Sequence, residues 1–138
     1  MCILVVVMYH EYFSIYRTGN KATPPIPFHQ VKDAVLGKNY SLSLAFVSTE
    51  ISVQLHKEHK RKSGPANTLA FPFDEVSGEI IMHLGTIRHE AKTYERNYHE
   101  HLLFMFIHSC LHLKGYEHGN EMELQEKKYY KKFLTQLK

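Results

Sequence analysis

The stretch His108-Ser-Cys-Leu-His112-Leu-Lys-Gly115-Tyr-Glu-His118 follows an unbroken apolar run, Leu102-Leu-Phe-Met-Phe-Ile107, that holds neither proline nor glycine. The run predicts a buried helix. Residues four apart on a helix lie one above the other, so His108 and His112 point the same way and can pinch one ion. Gly115 stands where a helix can end in a left-handed turn, which would fold the chain back and bring His118 to the same point. Three neutral imidazole nitrogens with a fourth direction left open are the donor set of a catalytic zinc site; a closed structural site takes four protein ligands. With 11 histidines in 138 residues some fall close together by chance, and a lone histidine in an apolar helix is more often a hydrogen-bonded core residue. The spaced pair, the glycine and the third histidine together favour a metal site, and imidazole suits zinc without excluding nickel, copper or iron.

Composition sets the frame around that motif. A chain of 138 residues with 43% hydrophobic and 12% aromatic content is expected to fold as a single domain over residues 1–138, with a real core. The longest apolar runs, Ile3–Met8 and Leu102–Ile107, fall far short of the roughly 20 residues that cross a bilayer. No membrane partner is expected. The first residues lack a basic n-region and a small-residue cleavage site, so a first strand is expected there and not a signal peptide. Cys2 and Cys110 are the only cysteines and suggest no disulfide framework, which points to a reducing cytoplasm. The net charge of +3 is mild, and basic residues cluster only at Lys57–Lys62 and Lys127–Lys132.

Upstream of the histidines, the β-branched run Ile3–Met8 predicts a strand buried on both faces. Thr18–Pro27, rich in proline, predicts a loop. Phe28, Val31, Val35 and Leu36 recur at helical spacing, with Gly37 ending the element. Ser41–Val47 alternates like a half-buried strand. Ser48 or Thr49 can cap a second helix that carries Glu50 in its first turn and stops by Ser63-Gly64-Pro65. Thr68–Phe73, interrupted by Pro72, predicts an edge strand or strand end, and Glu79–Ile87 a further strand forming a hairpin with it. Arg88–Tyr98 is polar and weakly helical. Downstream, Glu121–Lys138 predicts a helix striped by Met122, Tyr129 or Tyr130, Phe133 and Leu137. The order implies an α+β domain in which a mixed sheet of about four strands packs against helices, one of them the buried helix that carries two of the histidines.

In helical zinc proteases a glutamate directly follows the first histidine and serves as general base. Here that position is Ser109. Peptidase activity is therefore disfavoured, although metal-assisted hydrolysis remains open. The nearby carboxylates Glu117 and Glu121 can orient a ligand histidine or take a proton, but each is more readily a surface residue.

The segment from His108 to His118 resembles the signature of the YbeY endoribonucleases, His-Gly-x-Leu-His-Leu-x-Gly-Tyr-Asp-His. Leu55-His-Lys-Glu-His-Lys60-Arg-Lys-Ser-Gly-Pro65-Ala-Asn-Thr-Leu69-Ala-Phe71-Pro72-Phe73 is similar to that family's second block, and Leu84-Gly85-Thr86-Ile87 to its short strand motif. The resemblance covers roughly Leu55 to His118. It implies a zinc-dependent endoribonuclease for single-stranded RNA in ribosomal RNA maturation, with one Zn2+ on His108, His112 and His118 and possible contacts to ribosomal proteins or assembly factors. It also implies a phosphate-holding role at Lys60, where the family carries arginine, with Arg61 beside it. A lysine there is a point charge and lacks the bidentate fork of a guanidinium. Ser109 stands in place of a glycine and Thr86 in place of an aspartate, so the residues around the ligands depart from the family pattern. An alternative is therefore a catalytically weakened, metal-binding ribosome-assembly factor.

Overall fold

The computed structural model describes residues 4–18, 22–60 and 67–137, with the side chains of residues 56, 59 and 60 outside the description. It is an α+β fold built on one five-stranded mixed sheet. The strands are β1 (Leu4–His10), β2 (Phe13–Thr18), β3 (Ser41–Phe46), β4 (Thr68–Asp74) and β5 (Ser77–Met82), in the spatial order β1-β2-β3-β5-β4. β2, β3 and β5 run parallel in the centre, and β1 and β4 are antiparallel edges. The helices are α1 (Phe28–Leu36), α2 (Thr49–Lys60), α3 (Leu84–Glu90), α4 (Tyr98–Lys114) and α5 (Asn120–Leu134), with a 3-10 turn at Ala91–Tyr94.

One face of the sheet makes the core. Side chains alternate across a strand, and the inward row takes Phe13 and Ile15 from β2, Leu42, Leu44 and Phe46 from β3, and Ile80 and Met82 from β5, all buried. Helix α4 packs beside β4, with α1 and α5 flanking it. Because Leu102, Leu103, Phe106, Ile107, Cys110 and Leu111 are all buried, α4 is apolar nearly all round, as a central helix must be. Phe28 of α1 meets Phe106 edge-on with ring centroids 5.0 Å apart. Cys110 is fully buried, and burial pushes its thiol far above the ordinary range. At Gly78 an added Cβ would stand 2.5 Å from the Tyr40 hydroxyl oxygen, 3.0 Å from the Phe71 carbonyl oxygen and 3.1 Å from Leu113 Cδ2, so any side chain here would push Tyr40 and Leu113 aside and crowd β4.

Three expectations are corrected. The sheet has five strands and not about four, because Phe13–Thr18 forms β2, inserted between the first strand and β3. β1 is not buried on both faces: Leu4, Val5, Val6, Val7 and Tyr9 are exposed. It is an edge strand, bulged between Val6 and Met8, whose apolar run reflects β propensity and not burial. The strand expected to reach Ile87 ends at Met82, and Leu84–Ile87 begins α3. The His83 side chain accepts from the Thr86 amide and caps that helix, so the residues matched to a strand motif are helical. The edge placement of the Pro72 strand and its hairpin with β5 are as expected. The end of α2 near Ser63-Gly64-Pro65 lies outside the described residues.

Candidate metal centre

Helix α4 begins with a reciprocal cap. Asn97 Oδ1 accepts from the Glu100 amide at 2.9 Å, and Glu100 Oε1 accepts from the Asn97 amide at 2.9 Å. The helix ends where the sequence predicts, at Gly115 with φ 111°, a left-handed conformation that glycine adopts without a Cβ penalty. Its amide and that of Tyr116 return to the carbonyls of His112 and Leu111. This turn reverses the chain and carries His118 back over α4. The ring centroids of His108, His112 and His118 then lie 4.5 to 5.3 Å apart.

Second partners set which nitrogen each imidazole presents. His108 Nδ1 lies 2.5 Å from Glu126 Oε2, and His112 Nδ1 lies 3.1 Å from the Tyr116 carbonyl oxygen. Both acceptors require a proton on Nδ1, which leaves Nε2 as the lone-pair donor on each ring. Those Nε2 atoms stand 3.1 Å apart, close to the roughly 3.3 Å that a tetrahedral ion with nitrogen ligands at about 2.0 to 2.1 Å imposes. One donor atom from each of His108, His112 and His118 falls within 4.8 Å of the others, so this group could hold a metal ion. The donor chemistry also fits: imidazoles backed by a carboxylate and a carbonyl are the usual support of a bound transition metal.

Glu126 is the residue that sequence reasoning missed. It is buried on α5, while the carboxylates nearest in sequence to the third histidine, Glu117 and Glu121, are exposed. A carboxylate on the apolar stripe of the last helix, one turn after Met122, is the signal that could have found it. Glu126→Gln should keep the shape but replace the anionic acceptor behind His108. Metal affinity is expected to fall by about 10- to 100-fold, read by competition with a chromophoric chelator. Unchanged affinity would mean that Glu126 only fills space.

The histidines open onto a cleft of about 510 Å³ that Asn67, Thr68, Ala70, Met105 and Ser109 also line. Ser109 Oγ donates to the Met105 carbonyl at 2.9 Å and lies 2.7 Å from Thr68 Oγ1. With its proton committed to the backbone, Ser109 accepts from Thr68 and ties α4 to β4, so it supplies no base. Asn67 is fixed at the cleft by Glu90, whose oxygens accept from Nδ2 at 3.2 and 3.3 Å. Glu90 is in turn 3.1 Å from His101 Nε2. Burial holds the His101 ring below its ordinary pKa, against the upward pull of Glu90. Lys60 is the last described residue of α2; its side chain, and Arg61 altogether, lie outside the described residues.

Fold and site together define a class: an α+β protein with a metal-capable cleft of three histidines at the C-terminal end of a central helix. The family described as Endoribonuclease YbeY matches residues 25–137, and the chain belongs to that family. Among its relatives, the Endoribonuclease YbeY of Thermosipho melanesiensis is 31% identical over 108 residues, covering 72% of this chain and 78% of that protein. The one from Colwellia psychrerythraea is 31% identical over 96 residues, covering 64% of this chain. The chain spans only 62% of the length of that Colwellia protein and 66% of its Halalkalibacterium halodurans counterpart. The solution structure of TM1509 from Thermotoga maritima shares the fold, with a TM-score of 0.59 at 23% identity over 79% of this chain and 80% of that one. Among the described residues no helix is long and apolar enough to cross a membrane.

Proposed function

We propose that this protein is a metal-dependent endoribonuclease that hydrolyses single-stranded RNA, with zinc as the ion and ribosomal RNA as the substrate. The observation that carries this reading is the convergence of His108, His112 and His118, with two rings held by Glu126 and the Tyr116 carbonyl, in a chain of the YbeY family. When bound, a divalent ion supplies Lewis acidity at the scissile phosphodiester. The protein's own residues fix the ring orientations, shape the cleft beside β4, and hold Asn67 where a strand would enter. Lys60 and Arg61 serve in this reading as phosphate contacts, on the strength of the family resemblance around Leu55–Phe73. Ribosomal proteins or assembly factors are the expected protein partners, and the cytoplasm the expected compartment.

A second reading rests on Ser109, whose hydroxyl is committed to the backbone, and on lysine at position 60. It is a ribosome-assembly factor that keeps fold and metal but cuts slowly. One experiment separates the two. Purified protein is analysed for metal and incubated with labelled single-stranded RNA, with and without chelator. Cleavage that chelation abolishes and zinc restores supports the enzyme. In that case Lys60→Arg should raise cleavage by about tenfold, since a planar fork can hold two phosphate oxygens. RNA binding without cleavage, unchanged in Lys60→Arg, favours the assembly factor.

A further inference from the structure

A second cavity, of about 540 Å³, opens at the carboxyl ends of the three parallel strands. In open sheets this end is where ligands bind. The crevice is lined by Arg17 at the end of β2, Phe46 at the end of β3, Thr49 at the start of α2, and His83, Arg88 and Tyr98.

Arg17 breaks the pattern of its strand. Phe13 and Ile15 face the core, and the same alternation puts residue 17 on that face, in register with Phe46. A guanidinium stands there instead, with Cζ 5.8 Å from the centre of the Phe46 ring and Nη1 donating to the Ala22 carbonyl at 2.9 Å. Across the crevice, Arg88 Cζ lies 4.1 Å from the centre of the Tyr98 ring. Among the described residues neither guanidinium has a carboxylate within ion-pair distance; Glu50, which also lines the crevice, is exposed, as is Arg88. Two always-charged forks are thus held on aromatic faces without an anion.

The neutral groups add a donor. His83 Nδ1 accepts from the Thr86 amide at 3.1 Å, so its proton is on Nε2, which lies 3.0 Å from Thr49 Oγ1 and donates to it. The Thr49 hydroxyl proton is then available to a ligand. Burial keeps His83 below its ordinary pKa, so the ring stays neutral and keeps this tautomer.

The crevice and the histidine cleft share one cross-strand row. Arg17 pairs with Phe46, Phe46 with Met82, and Met82 with Thr68, which lines the cleft. Three strand spacings of about 4.8 Å put the ends of this row about 14 Å apart, a reach that a few nucleotides of single strand cover. We propose that the crevice is a second phosphate subsite, in which Arg17 and Arg88 hold a backbone phosphate of the RNA strand that lies in the histidine cleft. The inference rests on the reading of that cleft as an RNA site.

The test uses the whole chain, chelated to prevent cleavage, and reads fluorescence anisotropy of a labelled single-stranded oligoribonucleotide across a salt series. Arg17→Ala/Arg88→Ala should weaken binding about tenfold or more. The slope of log affinity against log salt should fall by about 0.7 for each phosphate that the variant no longer neutralises. A dinucleotide, too short to reach the crevice, should bind wild type and variant alike. Arg17→Lys/Arg88→Lys keeps the charges and the apolar stems, and its affinity should lie between the two, which guards against a fault in folding. Unchanged affinity and slope in the double alanine variant overturn the proposal. So does inorganic phosphate that displaces the oligonucleotide only when the arginines are present, while strand length makes no difference, since the crevice then takes free phosphate. Cleavage by wild-type protein is scored separately. Its absence would overturn the enzyme reading while an arginine-dependent salt slope kept the subsite.

Discussion

His112→Ala should lose its metal and its RNA cleavage together while remaining folded. His112 Nε2 stands 3.1 Å from His108 Nε2, where the two would share an ion, and its ring is held by the Tyr116 carbonyl, so its loss leaves two donors while the backbone bonds of the turn remain. Metal content, read by mass spectrometry after dialysis, should fall below about a tenth of wild type, because two ligands rarely retain zinc. Lewis-acid stabilisation worth several kcal/mol disappears with the ion, and about 4 kcal/mol corresponds to roughly a thousandfold in rate. Stability should change far less. His112 is half-buried, and the core of α1, α4, α5 and the sheet is assembled from apolar residues without the ion's help. Metal-free variant and metal-free wild type should therefore unfold within about 1 kcal/mol of each other. In the loaded wild type, binding adds only what mass action gives, about 2.7 kcal/mol at a hundredfold excess over Kd. Global unfolding on chelation would mark the ion as structural, like that of a zinc finger, and would count against the enzyme reading.

The largest stability effect is expected at Phe106. Its ring is fully buried, meets Phe28 edge-on at 5.0 Å, and sits two residues before His108. Phe106→Ala removes apolar surface and leaves a cavity that the facing helix and sheet cannot close, at a cost of about 3–5 kcal/mol. Against a total stability of about 5–15 kcal/mol, that should shift the urea midpoint well below that of wild type. Leu124→Ala is the control. Leu124 is exposed on α5, and such a change should stay within about 0.5 kcal/mol. A loss under about 1.5 kcal/mol for Phe106→Ala would show that α4 can settle into the space, and that the helix carrying the histidines is less firmly seated than its burial implies.

The centre of this molecule was legible because its information is local. The spacing of His108 and His112, the apolar run before them, and Gly115 each act through one or two turns of helix, and they bring the three histidines together. Glu126 was not legible in the same way. It lies 18 residues from His108, on another helix, and only the packing of α5 on α4 gives it a partner. The strands show the same division. Leu42, Leu44 and Phe46 alternate in an obvious way, and Phe13, Ile15 and Arg17 do so too, but the charge at the third position hid β2. That charge marks the end of the sheet that the crevice occupies. Leu4–Val7 looked doubly buried because β-branched residues suit any strand, and a sequence does not say which strand will be the edge. Leu84–Ile87 looked extended until His83 capped the helix it begins.

Cys110 lies midway between His108 and His112 in α4, two residues from each, with its sulfur sealed and its proton held by burial. Only the thiolate reacts quickly with alkylating reagents, so the folded molecule protects this sulfur twice, by exclusion and by protonation. In a Cys2→Ser background it is the sole thiol of the chain. Its labelling then becomes a clock for the core. Each modification records one opening large enough to lift α4 off the sheet, and when closing outpaces labelling the rate reports the free energy of that opening. An ion that clamps the end of α4 should slow the clock, and the ratio of rates with and without zinc would measure how far the grip of the histidines extends down the helix that carries them.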